Sequence, residues 1–153
     1  IMTVEGNTIR EIDHHDYGVL DPVGILKHSS NVGVAKLTLA LPSQRLWNFL
    51  HRIGFGSETQ SHFPGERSGL MPNYKRWRLF DLATLSFGYG VAVTPLQLAQ
   101  AYAVLANGGK RIPVSLLKIE HPPKGESVIS KKLSKQMVQI LTAVVEGEDG
   151  GAK

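Results

Sequence analysis

The stretch that most restricts how this chain can fold is Thr94–Gly109, TPLQLAQAYAVLANGG. Thr94, Pro95 and Gln97 form a capping box with proline in the first turn, so the helix start is written into the sequence. Asn107-Gly108-Gly109 ends it. Between Leu96 and Ala106 only Gln97 and Gln100 are polar. A helix that is apolar nearly all round is buried on most sides. The spacing therefore predicts a central core helix against which the other elements pack. A charge placed at Ala101 or Ala103 is expected to unfold the domain, because an unpaired buried charge costs several kcal/mol, roughly.

The other helix signals are arranged around this one. Asp21 and Pro22 are a cap followed by a first-turn proline. Val23 and Leu26 begin an apolar face that Asn31 and Gly33 interrupt, and Val34, Leu37 and Leu39 continue it as a second short helix. Ser29-Ser30-Asn31 thus falls at a joint between two helices. Leu41-Pro42-Ser43 opens a third helix that runs to Gly54, with Trp47, Leu50 and Ile53 as its apolar contacts. Gly54–Lys75 is a long loop rich in glycine and proline. Trp77–Phe87 reads as a helix leading into Ser86-Phe87-Gly88-Tyr89-Gly90, where two glycines present an aromatic ring. Leu133, Met137, Ile140, Leu141, Val144 and Val145 repeat at helical spacing over Lys131–Glu146, before a loop at Glu148–Gly151. Strands are expected at Thr8–Ile12, at Arg111–Ile119 and at Ser127–Ile129, with a loop at His121–Gly125 between the last two. The fold class is α+β, mostly α, in one domain over residues 1–153.

Composition narrows the function classes. The chain has 153 residues, 42% hydrophobic and 20% charged, with a formal net charge of +4, which describes a globular domain rather than a disordered chain. Lysine and arginine are scattered among acids and not gathered on a stripe, which argues against a nucleic-acid partner. The absence of cysteine excludes a disulfide scaffold and a thiol nucleophile. No run approaches a membrane span of ~18 apolar residues, and no signal peptide is visible. The chain looks cut from something longer. Asp13-His14-His15-Asp16 resembles a metal cluster in composition only, since consecutive ligands point to different sides; it is expected to be a solvated loop, with no metal or cofactor.

Serine acyl transfer requires a nucleophile, a base and an oxyanion hole. The one S-x-x-K match is Ser115-Leu116-Leu117-Lys118. It falls on the strand expected over Arg111–Ile119, where residues i and i+3 face opposite sides, so Ser115 is rejected as a nucleophile. No K-T-G or K-S-G occurs. Ser29-Ser30-Asn31 has the S-x-N form found in penicillin-binding transpeptidase sites. Taken alone, it also suits a helix cap made by Ser29 or Asn31.

Three segments decide between these. SSNVGVAKL, FPGERSGLMPNYKRW and SFGYGVAVTPLQLAQAYAVLANGG follow in an order and spacing that resembles the class B penicillin-binding proteins, the division-specific peptidoglycan D,D-transpeptidases of Gram-negative bacteria above all. The resemblance runs from about Thr8 to the end of the chain. It implies the largely helical part of the serine β-lactamase-like transpeptidase domain. The implied reaction is serine attack on the D-Ala-D-Ala carbonyl of a stem peptide, release of D-alanine and transfer of the acyl group to an amine on a neighbouring strand; β-lactams acylate the same serine. Ser29 would relay a proton, and Asn31 would bind the substrate amide and the catalytic lysine. Phe87 and Tyr89 would line the cleft, while Ser30 has no assigned chemistry. The S-x-x-K helix should precede residue 1 and the K-T-G strand should follow Lys153, so the 153-residue chain is expected to be an incomplete domain, inactive alone, with Ser29–Asn31 displaced or mobile. The parent would act at the septum, on the periplasmic face of the inner membrane, with division proteins as partners. Two other classes stand beside it: a non-enzymatic helical module that binds a partner, and a helix-turn-helix DNA binder.

Overall fold

The protein is described by a computed structural model covering residues 1–12, 14–121 and 123–147. Asp13, Pro122 and the expected loop at Glu148–Gly151 lie outside the described residues. The chain parts into two compact units: Ile1–Leu46 with Pro72–Gly90 and Gln139–Lys153, and Trp47–Met71 with Val91–Val138.

The first unit opens with a hairpin. Strand β1 (Met2–Val4) pairs antiparallel with β2 (Asn7–Ile9), turning at Glu5 and Gly6, both at positive φ. A hairpin with a two-residue turn of this hand matches the twist of its strands. Helices α1 (Pro22–Lys27), α2 (Asn31–Leu39) and α4 (Leu79–Leu85) also lie in this unit, with a short 3-10 turn at Tyr74–Arg76. Val4 and Ile9 of the hairpin, Val32 and Ala35 of α2 and Ala83 of α4 form its buried cluster. The face of α2 that turns inward is Val32, Ala35 and Thr38, with Leu39 half-buried against the same cluster, whereas Leu37 is 48% exposed. The Glu5 carboxylate at the hairpin turn accepts from the Phe80 N–H in the first turn of α4, where a negative charge suits the helix dipole.

In the second unit, α5 (Pro95–Ala106) packs Ala101 and Val104 with Ile53 and Val128. Ile53 ends α3 (Ser43–Ile53), whose residues from Trp47 onward fall in this unit. β3 (Lys110–Arg111) pairs antiparallel with β4 (Glu126–Ser127). Helix α6 spans Lys131–Glu146, the range its periodicity predicts. Two expectations are corrected here. Helix α5 is not buried on most sides: its inward face carries its two polar residues, Gln97 and Gln100, while Leu98 and Tyr102 stand outward at 45% and 58% exposure. The reason is hydrogen bonding, since buried amides are needed where loops leave backbone carbonyls without partners. Gln97 Nε2 donates to the Ser57 and Ser68 carbonyls, and Gln100 Nε2 to that of Ile112. Ala101 is therefore a buried position and Ala103 an exposed one.

The strand expected over Arg111–Ile119 ends at Arg111. Pro113 offers no N–H to a ladder, and Ser115 Oγ donates to the Leu117 carbonyl and accepts from its N–H, a local turn. Ser115 remains a poor nucleophile, though because it sits in this turn and not on a strand. The loop after Gly54 is tied by Glu66, whose carboxylate accepts from Thr59 N–H, Thr59 Oγ and Ser61 Oγ. The hydrogen bond from Thr59 Oγ holds the Glu66 carboxyl below its usual pKa.

Candidate functional site

Helix α1 is started as expected, with Asp21 Oδ1 accepting from the Gly24 N–H at 2.7 Å. Its end is less ordinary. The Ser29 N–H returns to the Leu26 carbonyl at 3.2 Å and the Ser30 N–H to that of Ile25 at 2.9 Å. This is the Schellman pattern, whose turning residue adopts a left-handed conformation and is usually glycine. Here the turning residue is Ser29, at φ +51, and it is exposed.

Ser30, assigned no chemistry from the sequence, is the N-cap of α2 and 3% exposed. Its Oγ accepts from the Gly33 N–H at 2.9 Å and donates to Glu11 Oε1 at 2.6 Å. Glu11 Oε2 accepts from the N–H of Asn31 at 2.8 Å and from that of Val32 at 3.5 Å. The Asn31 side chain donates through Nδ2 to the Arg10 carbonyl at 3.3 Å. The first N–H groups of α2 thus all find acceptors, which a helix end requires. The joint is anchored at Ser30 and Asn31, so the expected displacement of the segment is not what its hydrogen bonds describe.

Asn31 opens onto a groove of about 390 Å³ lined by Thr8, Ile9, Arg10, Asn31, Phe80, Thr84, Phe87 and Tyr89. Asn31, Phe87 and Tyr89, singled out separately in the sequence, meet here; Ser29 is not among the lining residues. Tyr89 stands between Gly88 and Gly90, both at positive φ, and is 68% exposed. Its ring meets Phe87 edge-on at 5.7 Å between centroids. Phe87 packs back against the first unit's core, so one aromatic fixes the other.

The remaining candidate, the Asp13–Asp16 run, forms no metal cage among the described residues. Its described part carries a row of rings, His15 to Tyr17 at 5.0 Å and Tyr17 to His28 at 4.8 Å.

A groove with an S-x-N turn on one side and an F-G-Y-G segment on the other is where the comparisons with known proteins meet the geometry. The sequence matches the penicillin-binding protein transpeptidase domain over residues 2–153. The chain belongs to that transpeptidase family. It is 41% identical over 150 residues to the peptidoglycan D,D-transpeptidase FtsI of Escherichia coli, covering 98% of this chain and 25% of that protein. It is 40% identical over 139 residues to the probable peptidoglycan D,D-transpeptidase PenA of Neisseria flavescens, covering 91% of this chain and 35% of that one. Its fold superimposes on the transpeptidase domain of penicillin-binding protein 3 from Burkholderia pseudomallei with a TM-score of 0.91 and 32% identity, covering 97% of this chain and 45% of that structure. The chain therefore spans a quarter to about a third of the curated relatives' length. Its mostly helical architecture with short strands is that of the family's transpeptidase domain.

The contact that anchors the site carries no local signal. Glu11 and Ser30 are 19 positions apart, beyond any spacing rule for helices or strands. Ser30 had one readable cue, a serine directly before the first helical residue.

Proposed function

We propose that these 153 residues form one wall of the active site of a peptidoglycan D,D-transpeptidase that cross-links stem peptides during septal wall synthesis. The observation that carries this reading is the convergence of Asn31, Phe87 and Tyr89 on one groove. In this reading the D-Ala-D-Ala end of the donor peptide lies along that groove. The Asn31 amide hydrogen-bonds the substrate amide, and Phe87 and Tyr89 give its side an apolar face. The hydroxyl of Ser29 passes a proton to the departing D-alanine amine and later takes one from the attacking amine, the general acid–base work that a positioned hydroxyl performs between a lysine and a leaving group. The nucleophilic serine and its lysine come from an S-x-x-K helix that no part of this sequence supplies. β-Lactams occupy the donor's place and remain as the acyl-serine. The complete enzyme works on the periplasmic face of the inner membrane alongside division proteins.

The backbone at Ser29 supports the assignment. A non-glycine residue in the left-handed region costs of order 1–3 kcal/mol, and such strain gathers at functional sites. A serine kept there is accounted for if its hydroxyl is used. Intact mass before and after incubation with a penicillin tests the reading. The 153-residue chain is expected to show no adduct, and the complete enzyme one penicillin per molecule. An adduct on the 153-residue chain would overturn the assignment and return Ser115 to consideration. A second reading, a non-enzymatic helical module that binds a partner, draws on the outward Leu98 and Tyr102 of α5; a complete enzyme that never takes up penicillin would favour it.

A further inference from the structure

The S-x-N turn has the serine half of a capping box, Ser30 Oγ accepting from the Gly33 N–H, but not the half that returns to the cap. In a capping box the third helical residue is Glu or Gln, and its side chain reaches back to the cap. In α2 that residue is Gly33. A Cβ there would stand 2.7 Å from Ile25 Cγ1 and 2.8 Å from Ser30 Oγ, so no side chain fits while α1 and α2 meet at this angle. The negative charge that a helix N-terminus favours must come from elsewhere, and Glu11 brings it.

We infer that Glu11 is a positioning residue of the transpeptidase, holding the S-x-N turn so that the Asn31 amide faces the groove. One oxygen of Glu11 takes the Ser30 hydroxyl and the other takes the Asn31 N–H. The adjacent carbonyl of Arg10 takes Asn31 Nδ2. A single dipeptide at the end of the hairpin thus holds both the backbone and the side chain of Asn31. Arg10 and Asn31 line the same groove, so a shift of this dipeptide moves the wall that substrate touches. Glu11 does not line that groove and acts through Asn31 and Ser30. The inference rests on the reading of Asn31 given under Proposed function.

The test measures the second-order rate of acylation by a fluorescent penicillin in the complete enzyme, with the thermal midpoint of every variant. Glu11→Gln presents an NH2 group to donors that need an acceptor. It is expected to slow acylation roughly tenfold or more, the scale of a lost charge-assisted hydrogen bond. Glu11→Asp, which keeps the charge one methylene further back, is expected between Glu11→Gln and the unaltered enzyme. The decisive readout is the double variant. In an Asn31→Ala background, Glu11→Gln is expected to slow acylation no further, since the residue it positions is gone. Losses that multiply in the double variant would assign Glu11 a general structural role and overturn the inference. So would an unaltered rate in Glu11→Gln while Asn31→Ala is slow, which would leave the reading of Asn31 standing. An unaltered rate in Asn31→Ala would remove that reading and this inference together. Should Glu11→Gln fail to fold, Glu11→Asp carries the same comparison: a reduced rate that vanishes as a difference in the Asn31→Ala background supports the inference, and an unaltered rate overturns it.

Discussion

Helices α1, α3 and α4 end on the same hydrogen-bond pattern, yet they do not end on the same residue. In α3 the Gly54 N–H returns to His51 and the Phe55 N–H to Leu50; in α4 the Gly88 N–H returns to Leu85 and the Tyr89 N–H to Thr84. In α1 the corresponding donors are Ser29 and Ser30. The turning residue has positive φ in all three, +112 at Gly54, +101 at Gly88 and +51 at Ser29. Two of these ends therefore follow the conformational preference of the backbone, and the third departs from it. The departure falls on the first residue of the S-x-N turn. Stability alone would favour glycine at all three positions, and the proposed use of the Ser29 hydroxyl would account for the exception.

Substitutions at these three ends put the contrast to the test. The largest effect is expected from Ser29→Gly in the complete enzyme. If the hydroxyl relays a proton, penicillin acylation and transpeptidation should fall by roughly 10²-fold or more. At the same time relief of the left-handed strain should stabilise the fold by about 0.5–1 kcal/mol in chemical unfolding. A variant that gains stability and keeps its activity would remove the functional meaning of the contrast. Next in size, Gly54→Ala should cost about 2 kcal/mol and Gly88→Ala about 1 kcal/mol. Both put a Cβ in the left-handed region, but at Gly54 it would also stand 2.8 Å from Gln100 Oε1, whereas at Gly88 nothing lies within 4 Å. Equal costs would show that backbone conformation alone sets the penalty. The smallest effect is a response to acid in the unit that contains Gly54. Burial holds His51 below its usual pKa of 6.5, so the folded state favours the neutral ring, and stability should begin to fall as pH drops through that value. The Thr59 hydrogen bond holds Glu66 below 4.5; its contribution is present above that pH and is lost below it. Hydrogen-exchange protection of the Gly54 and Phe55 amides should weaken in the first range, and protease cutting of the 59–66 loop should rise in the second. A loop that holds equally well on both sides of pH 4.5 would remove Glu66 as its anchor.

What could be read without coordinates was whatever depends on neighbours in sequence. The caps at Asp21 and Thr94, the stop at Gly54 and the extent of α6 rest on residues within a turn of each other, and all four appear in the structure. The three family segments were equally legible, because their order and spacing lie along the chain. The expectations that failed turned in part on what lies across space. Helix α5 looks apolar all round as a string, but it turns inward the amides of Gln97 and Gln100, which donate to the carbonyls of Ser57, Ser68 and Ile112. The residues after Arg111 found neither a partner strand nor a face to bury, and Leu116 and Leu117 remain 60% and 81% exposed.

The candidate site divides along the same line. Sequence alone determined that Ser29-Ser30-Asn31 lies between two helices and that Phe87 and Tyr89 sit at a glycine-flanked bend, since helix starts, helix stops and glycine turns are local properties of the backbone. Tertiary structure alone decided that Asn31 and the two aromatics share a groove and that Glu11 holds the cap at Ser30. Those relations join residues separated by 19 to more than 50 positions, and a hydrogen bond or a shared groove between such residues exists only once the chain has closed on itself.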